Sequence, residues 1–368
     1  MVIQTGRSPK EAAYMERALF HAARGLGRTS PNPVVGAIVV SADGVIVGQG
    51  YHHRAGEAHA EVNALDEAGG RARGATLYCT LEPCAHHGRT PPCVHRILEA
   101  GIRRVVAATE DPNPIVSGRG FAFLREHGVH VEVGLGADAS ASLNRPFFTL
   151  MREGRPFVIL KAAASLDGRI AETSGRRTFL TSAAANRHAH CVRAQVDAIA
   201  VGVGTVLADD PQLTARGIFR ERPLVRVIFD RRLRTPPDAK VLSTLSAGPV
   251  MIVSTPEASR CAELRKPLED AGATIDASGD GLRETFQRLA AEQQIGSLLL
   301  EGGAAMHAAA WDEGLVDYVR LYVTPHVLGN GGVELLSGRG FSSAALFERR
   351  VESLGPDVVI EGYVHRAG

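Results

Sequence analysis

Apolar positions recur at two periods along this chain. From Glu11 to Arg24, Ala12, Met15, Leu19, Ala22 and Ala23 return every three to four residues, the spacing of an amphipathic helix that Gly25 can end. The continuous apolar run at 34–40 reads instead as a buried strand, and Gly44 turns it into an antiparallel partner at 45–48. A helix opens at His59, with Ala60, Leu65 and Ala68 along it, and a buried strand follows at 75–81. Next come a helix at 94–100 stopped by Gly101, and strands at 105–109 and 129–133 around a helix near 121–126.

The polar run Arg152-Glu153-Gly154-Arg155-Pro156 interrupts the pattern and predicts a joint, with the first domain's core ending near Phe148. Beyond it the alternation resumes: a strand at 157–164, a helix at 182–196 and strands at 198–203, 224–229, 250–253 and 297–300. An Ala-rich helix and closing strands at 321–323 and 358–364 complete it. Strands alternating with helices predict an α/β architecture. The joint divides it into domains at 1–150 and 155–368, and 368 residues is ample for two cores.

Bulk properties narrow the function. A formal net charge of +1 with interspersed signs lacks the basic field that nucleic-acid binding requires. Five cysteines do not make a disulfide framework; Cys79, Cys191 and Cys261 read as isolated core residues, as expected in a reducing cytosol. No apolar run approaches the ~18 residues of a membrane span, and the first residues lack a signal-peptide core. A cytoplasmic protein with neither membrane nor nucleic-acid partner is expected.

The chemistry concentrates between His59 and Cys93. His59-Ala60-Glu61, Pro83-Cys84 and Pro92-Cys93 supply one imidazole and two thiolates, a donor set that suits zinc. Three protein ligands leave a fourth position open, as in catalytic rather than structural zinc sites. Zinc lowers the pKa of a bound water to roughly 7, and a carboxylate beside it can shuttle protons. Glu61 is placed for that role. His-x-Glu followed by Pro-Cys and a second Cys is the arrangement of zinc-dependent nucleobase deaminases, although eight residues (85–92) separate the cysteines where two are usual.

The inserted residues carry a closer resemblance. Pro83-Cys84-Ala85-His86-His87-Gly88-Arg89-Thr90-Pro91-Pro92-Cys93 resembles the deaminase half of the bifunctional riboflavin-biosynthesis deaminase/reductases. So do Thr29-Ser30-Pro31-Asn32-Pro33-Val34-Val35-Gly36, Asp111-Pro112-Asn113-Pro114 and Gly118-Arg119-Gly120. The resemblance implies a cytidine-deaminase-like three-layer domain. It would hydrolyse an amino group from a diaminopyrimidinone bearing a ribosylamino 5′-phosphate. Zn²⁺ would sit on His59, Cys84 and Cys93 with Glu61 as proton shuttle, Asn32, His52 and His86 would orient the base, and Arg89 would meet the phosphate.

The second half has weaker local signals. Gly202-Val203-Gly204-Thr205-Val206-Leu207 starts like a dinucleotide fingerprint but places Leu207 where the third glycine belongs, which argues against a Rossmann fold. Strand-Glu301-Gly302-Gly303-helix allows close backbone approach to a phosphate at a helix start. Lys161 inside an apolar strand is unusual.

Ser165-Leu166-Asp167-Gly168, Val206-Leu207-Ala208-Asp209-Asp210-Pro211 and Leu300-Glu301-Gly302-Gly303 together resemble the reductase half of the same family. This half would have a dihydrofolate-reductase-like fold and use NADPH to reduce the ribosyl group to ribityl. By that resemblance Ala163, Phe179, Thr205, Asp209, Gly302 and Gly303 would hold NADPH, with Arg231 near its 2′-phosphate. Lys161, Arg177, Arg193, Leu213, Arg216 and Glu301 would face the substrate, with Arg193 and Arg216 suited to bidentate phosphate contacts. Glu301 would accept from the pyrimidine amide. A homo-oligomer is expected.

Three rival readings make distinct predictions. A deaminase with a C-terminal binding module would not oxidise NADPH, and a polynucleotide deaminase would bind in a steeply salt-dependent way. A structural zinc protein would not turn over.

Overall fold

The computed structural model describes residues 8–86, 91–114, 116–279 and 281–366. It divides into two compact units, one ending at Gly154 and the other beginning at Arg155.

The first unit contains α1 (Pro9–Ala23), β1 (Gly36–Val40), β2 (Ile46–Tyr51), α2 (Ala60–Ala68), β3 (Thr76–Cys79), α3 (Cys93–Glu99) and β4 (Arg104–Ala107). It closes with α4 (Arg119–Glu126), β5 (His130–Val133), α5 (Ala137–Leu143) and α6 (Arg145–Glu153). Its sheet runs β2-β1-β3-β4-β5, antiparallel across β2, β1 and β3 and parallel from β3 to β5.

Both faces of that sheet are covered, which explains the uninterrupted apolar run in β1. Ile38, Val40, Tyr78 and Val106 point to one side, against Met15 and Ala18 of α1. Ala37, Val39, Leu77 and Val105 alternate to the other, against Ala60, Ala64, Val94, Ile97 and Leu124 of α2, α3 and α4. Glycines in β2 let α2 lie almost on the strand: a Cβ at Gly48 would fall 2.1 Å from the Ala64 carbonyl oxygen, and one at Gly50 2.7 Å from that of Ala60. This close approach holds the start of α2, and with it His59, against the sheet.

The second unit begins with β6 (Phe157–Ser165), β7 (Arg169–Ala171), α7 (Ala183–Gln195), β8 (Ala198–Gly202), α8 (Val203–Asp209), β9 (Val225–Phe229) and β10 (Val250–Val253). Then come α9 (Pro256–Arg260), α10 (Ala262–Asp270), β11 (Ala273–Asp276), α11 (Leu282–Gln293), β12 (Ser297–Gly302), α12 (Ala304–Asp312) and β13 (Tyr318–Thr324). The last strands are β14 (Val333–Glu334), β15 (Phe347–Leu354) and β16 (Asp357–Tyr363).

Nine of these strands form one sheet in the order β11-β10-β9-β8-β12-β6-β13-β16-β15. β11 through β13 in that order are parallel, and β16 and β15 are antiparallel additions. Separate apolar clusters cover the two faces. The chain passes from β6 to β8, steps outward to β11 and returns to place β12 between them. The carboxyl ends of β6, β8 and β12 therefore flank a switch in strand order, where open α/β sheets bind ligands.

Several sequence expectations change. Helices α5 and α6 fill the stretch before the joint, and α6 takes in Arg152 and Glu153 of the polar run. Residues 203–209, given no helix by the sequence pattern and with Val203 placed in a strand, form α8, and β11 and β15 went unpredicted. Of the cysteines read as core residues, Cys79 is buried, but Cys191 is half-buried and Cys261 exposed. Among the described residues no helix is long and apolar enough to cross a membrane.

Candidate active sites

In the first unit, three segments distant in sequence converge. His59 is the N-cap of α2, Cys84 follows β3 after a short turn, and Cys93 is the first residue of α3. The His59 Nδ1 lies 3.5 Å from the Cys84 Sγ and 3.2 Å from the Cys93 Sγ, and all three donor atoms are within 4.8 Å of one another. Tetrahedral zinc with ligand bonds of roughly 2.0–2.3 Å needs donors roughly 3.5–3.8 Å apart, so the set fits that ion with little adjustment.

The proton distribution agrees. Hydrogen bonding from the Cys93 thiol draws the Cys84 thiol below the usual thiol range, against burial, with His59 adding to the pull. The bond to Cys84 in turn raises the His59 imidazole. The Cys93 amide also donates to the Cys84 Sγ at 3.3 Å. A sulfur that readily becomes anionic amid shared protons is a place for a cation.

Glu61, on the first turn of α2, is 3% exposed, and its Oε2 has no hydrogen-bond partner among the described residues. Burial raises its carboxyl to about 7, with His59 opposing. Both residues line a cavity of about 290 Å³ together with Asn32, His52, Cys84, His86, Asp111, Asn113 and Phe147. His52 is buried, and desolvation lowers its pKa, so it is neutral. Its Nδ1 donates to the Ala58 carbonyl at 3.2 Å, which leaves Nε2 to accept from the Asn32 amide at 3.2 Å. The half-buried His86 has an Nδ1 without a partner among the described residues, and Arg89 lies outside them.

Glu82 escaped the sequence reading. It is 3% exposed and lines the same cavity, yet its carboxylate binds main-chain amides of the segment from Asp111 to Phe121. Only its position two residues before Cys84 could have drawn attention to it.

In the second unit the buried charge is paired. Arg193 on α7 grips Glu301 at the end of β12 through two hydrogen bonds of 2.6 Å, and the Lys161 Nζ is 3.7 Å from the same carboxylate. Burial alone would raise the Glu301 carboxyl, but Arg193 and Lys161 outweigh it and hold it down at about 2. The remaining Arg193 nitrogen donates to the Thr214 carbonyl at 3.0 Å, so this guanidinium is already committed. Lys161 also lies 5.5 Å from the centre of the Tyr322 ring, whose hydroxyl bonds His188 at 2.8 Å.

The other predicted residues distribute around these strand ends. Arg216 is exposed and forms no salt bridge among the described residues, while the buried Leu213 has a left-handed backbone (φ 53°). Arg177 stacks on the exposed Phe179 at 4.4 Å and donates to the Asp209 carbonyl at 3.5 Å. Ala163 is on β6 beside Tyr322 of β13. Thr205 crowds the glycine turn: a Cβ at Gly302 would fall 2.7 Å from its hydroxyl oxygen, and Gly303 has φ 78°. Two glycines against a threonine, ahead of the α12 N-terminus, form the kind of backbone cradle a dinucleotide phosphate occupies. Arg231 is exposed just beyond β9, and its carbonyl accepts from Thr255.

Known proteins cover both halves. A family model for the cytidine and deoxycytidylate deaminase zinc-binding region matches residues 8–109, and one for the RibD C-terminal domain matches 156–360. The riboflavin biosynthesis protein RibD of Aquifex aeolicus (strain VF5) is 42% identical over 349 residues, 94% of this chain and 96% of that one. That of Escherichia coli (strain K12) is 40% identical over 358 residues, with 94% and 97% covered.

Among solved structures, form 1 of Acinetobacter baumannii RibD superposes with a TM-score of 0.85 at 38% identity, covering 96% of this chain and 98% of that one. The diaminohydroxyphosphoribosylaminopyrimidine deaminase/5-amino-6-(5-phosphoribosylamino)uracil reductase of Thermotoga maritima gives 0.83 at 35% identity, with the same coverage.

Proposed function

The chain belongs to the RibD family of bifunctional riboflavin-biosynthesis deaminase/reductases, and from that premise we propose how its residues divide the two reactions. The N-terminal domain is cytidine-deaminase-like and zinc-dependent; the C-terminal domain is an NADPH-dependent, dihydrofolate-reductase-like reductase. Together they deaminate 2,5-diamino-6-(5-phosphoribosylamino)pyrimidin-4(3H)-one and reduce the ribosyl group to ribityl. The observation that carries the residue assignment is the His59–Cys84–Cys93 triad beside a buried carboxylate oxygen that has no hydrogen-bond partner among the described residues.

Zinc on this triad, when bound, supplies the Lewis acidity that makes water nucleophilic near neutral pH. Glu61 takes the two protons of the attacking water in turn at Oε2, passing the first to the ring nitrogen and the second to the departing ammonia. Neutral His52 holds the Asn32 amide so that its carboxamide oxygen accepts from the pyrimidine edge. His86, which lines the same cavity, orients the base with them, and Arg89 meets the ribose phosphate.

In the second site NADPH, when bound, supplies hydride to C1 of the opened ribose. Thr205, Asp209, Gly302 and Gly303 hold the dinucleotide against the strand ends, with Ala163 and Phe179 beside the nicotinamide and Arg231 toward the 2′-phosphate. Each Glu301 oxygen keeps a lone pair beyond its bond from Arg193, so this carboxylate can still accept from the pyrimidine amide that deamination creates. Arg193 serves chiefly to fix Glu301. Arg216, helped by Arg177, Lys161 and the wall formed by Leu213, receives the substrate phosphate.

A cytoplasmic homo-oligomer completes the proposal, with sedimentation velocity as its check. The main test follows ammonia and nicotinamide absorbance together in one reaction containing the diaminopyrimidinone substrate and NADPH. Ammonia should appear first and NADPH oxidation follow; ammonia without NADPH oxidation would refute the reductase assignments.

A further inference from the structure

One buried carboxylate in the deaminase cavity is unused by this scheme. Glu82 forms no salt bridge to Lys or Arg among the described residues, and its two oxygens are filled by four main-chain amides. Oε2 accepts from Asp111 at 3.2 Å and Gly118 at 2.9 Å; Oε1 accepts from Gly120 at 2.8 Å and Phe121 at 3.3 Å. Three of those amides are the unbonded first N–H groups of α4, whose own N-cap, Gly118, has no side chain to satisfy them. Glu82 thus caps α4 from a separate strand end, where a carboxylate also complements the positive end of the helix.

The same contacts tie down the preceding loop. A Cβ at Gly120 would fall 2.0 Å from the Pro83 carbonyl oxygen, so α4 starts directly against the chain that carries Cys84. The loop from Asp111 to Gly118 then supplies Asp111, Asn113 and Val116 to the cavity lining, and the Asp111 carboxylate accepts from the Asn113 amide at 2.8 Å.

We propose that Glu82 is a positioning residue for deamination: by binding both ends of the 111–118 loop it sets where Asp111, Asn113 and Val116 meet the substrate. This rests on the deaminase reading of the first unit. The loop shapes the cavity but supplies no reacting group, so disturbing it weakens substrate fit and leaves the chemical step largely intact.

The test uses the full-length, zinc-loaded chain with Glu82→Gln, Asn113→Ala and both together. A glutamine amide turns its own N–H groups toward the loop amides, so two of the four contacts become repulsive. Glu82→Gln should keep one zinc per chain and the wild-type NADPH oxidation rate on deaminated substrate. Its deamination KM should rise about tenfold, the loss expected of a charge-assisted contact, with kcat changed by less than about threefold. Asn113→Ala should raise KM similarly, and the double variant should be no worse than the poorer single.

Should Glu82→Gln fail to fold, Gly118→Ala decides, because it strains the left-handed N-cap (φ 73°) whose amide Glu82 binds while leaving the carboxylate itself in place, and the same rise in KM is expected. An unchanged KM, loss of zinc, or effects that multiply in the double variant would each overturn the proposal. Absence of ammonia release from the unmodified chain would instead overturn the deaminase reading beneath it.

Discussion

Each unit encloses a glutamate side chain in its proposed site, and the two are treated in opposite ways. Glu61 has an oxygen without a hydrogen-bond partner among the described residues, and burial lifts its carboxyl to about 7. The Glu301 side chain is nearly as enclosed, at 6% exposed, yet a bidentate Arg193 and Lys161 hold it at about 2. A carboxylate that gains and loses a proton easily suits general acid–base work. One locked as an anion suits recognition and the fixing of neighbouring cations. The difference lies in what surrounds the side chain, since the residue type is the same.

That contrast can be broken experimentally, starting with the largest effect. Removing zinc with a chelator should abolish ammonia release while NADPH oxidation on deaminated substrate continues; parallel loss of both would mean that the units do not work separately. Glu61→Gln should lower deamination by about 10²–10⁴-fold with zinc content intact, as measured by metal analysis beside the ammonia assay.

Glu301→Gln should act on stability as well as rate. It leaves Arg193 and Lys161 without their buried anion, and a loss of about 3–5 kcal/mol is expected in the denaturant unfolding of the second unit. Arg216→Ala should be milder, raising the reductase KM for the phosphorylated substrate roughly 10–100-fold with kcat nearly unchanged.

The smallest effect is on acid stability. With its pKa depressed in the folded state, Glu301 stabilises the fold fully above the ordinary carboxylate range and progressively less as pH falls toward about 2. The stability gap between the wild type and Glu301→Gln should therefore narrow from pH 6 to pH 3. A constant gap would show that the pair is not what holds the carboxyl down.

The His59–Cys84–Cys93 cluster was legible because its residue types are rare together and two of them follow prolines. The flanking pattern also placed His59 and Cys93 at helix starts. Much of the site proposed for the second unit had no such signal. Arg193 and Glu301 are 108 positions apart, and nothing local to either marks the other as its partner. Strand β15 was missed because nearly all of its residues are exposed, so no apolar alternation betrays it. Helix α10 carries Pro267 in its interior, against the usual pattern.

From the sequence alone came the alternation of strands and helices, the joint between two halves, and a metal-binding set with a carboxylate two residues from its histidine. These are encoded in periodicity and residue chemistry, which are local and survive without coordinates. Tertiary structure alone decided that Glu82 caps a helix 36 to 39 positions away, that Arg193 is spent on Glu301, and that one Glu61 oxygen has no hydrogen-bond partner among the described residues while both Glu301 oxygens do. Desolvation and charge pairing depend on what the fold brings within a few ångströms, and no stretch of chain specifies that by itself.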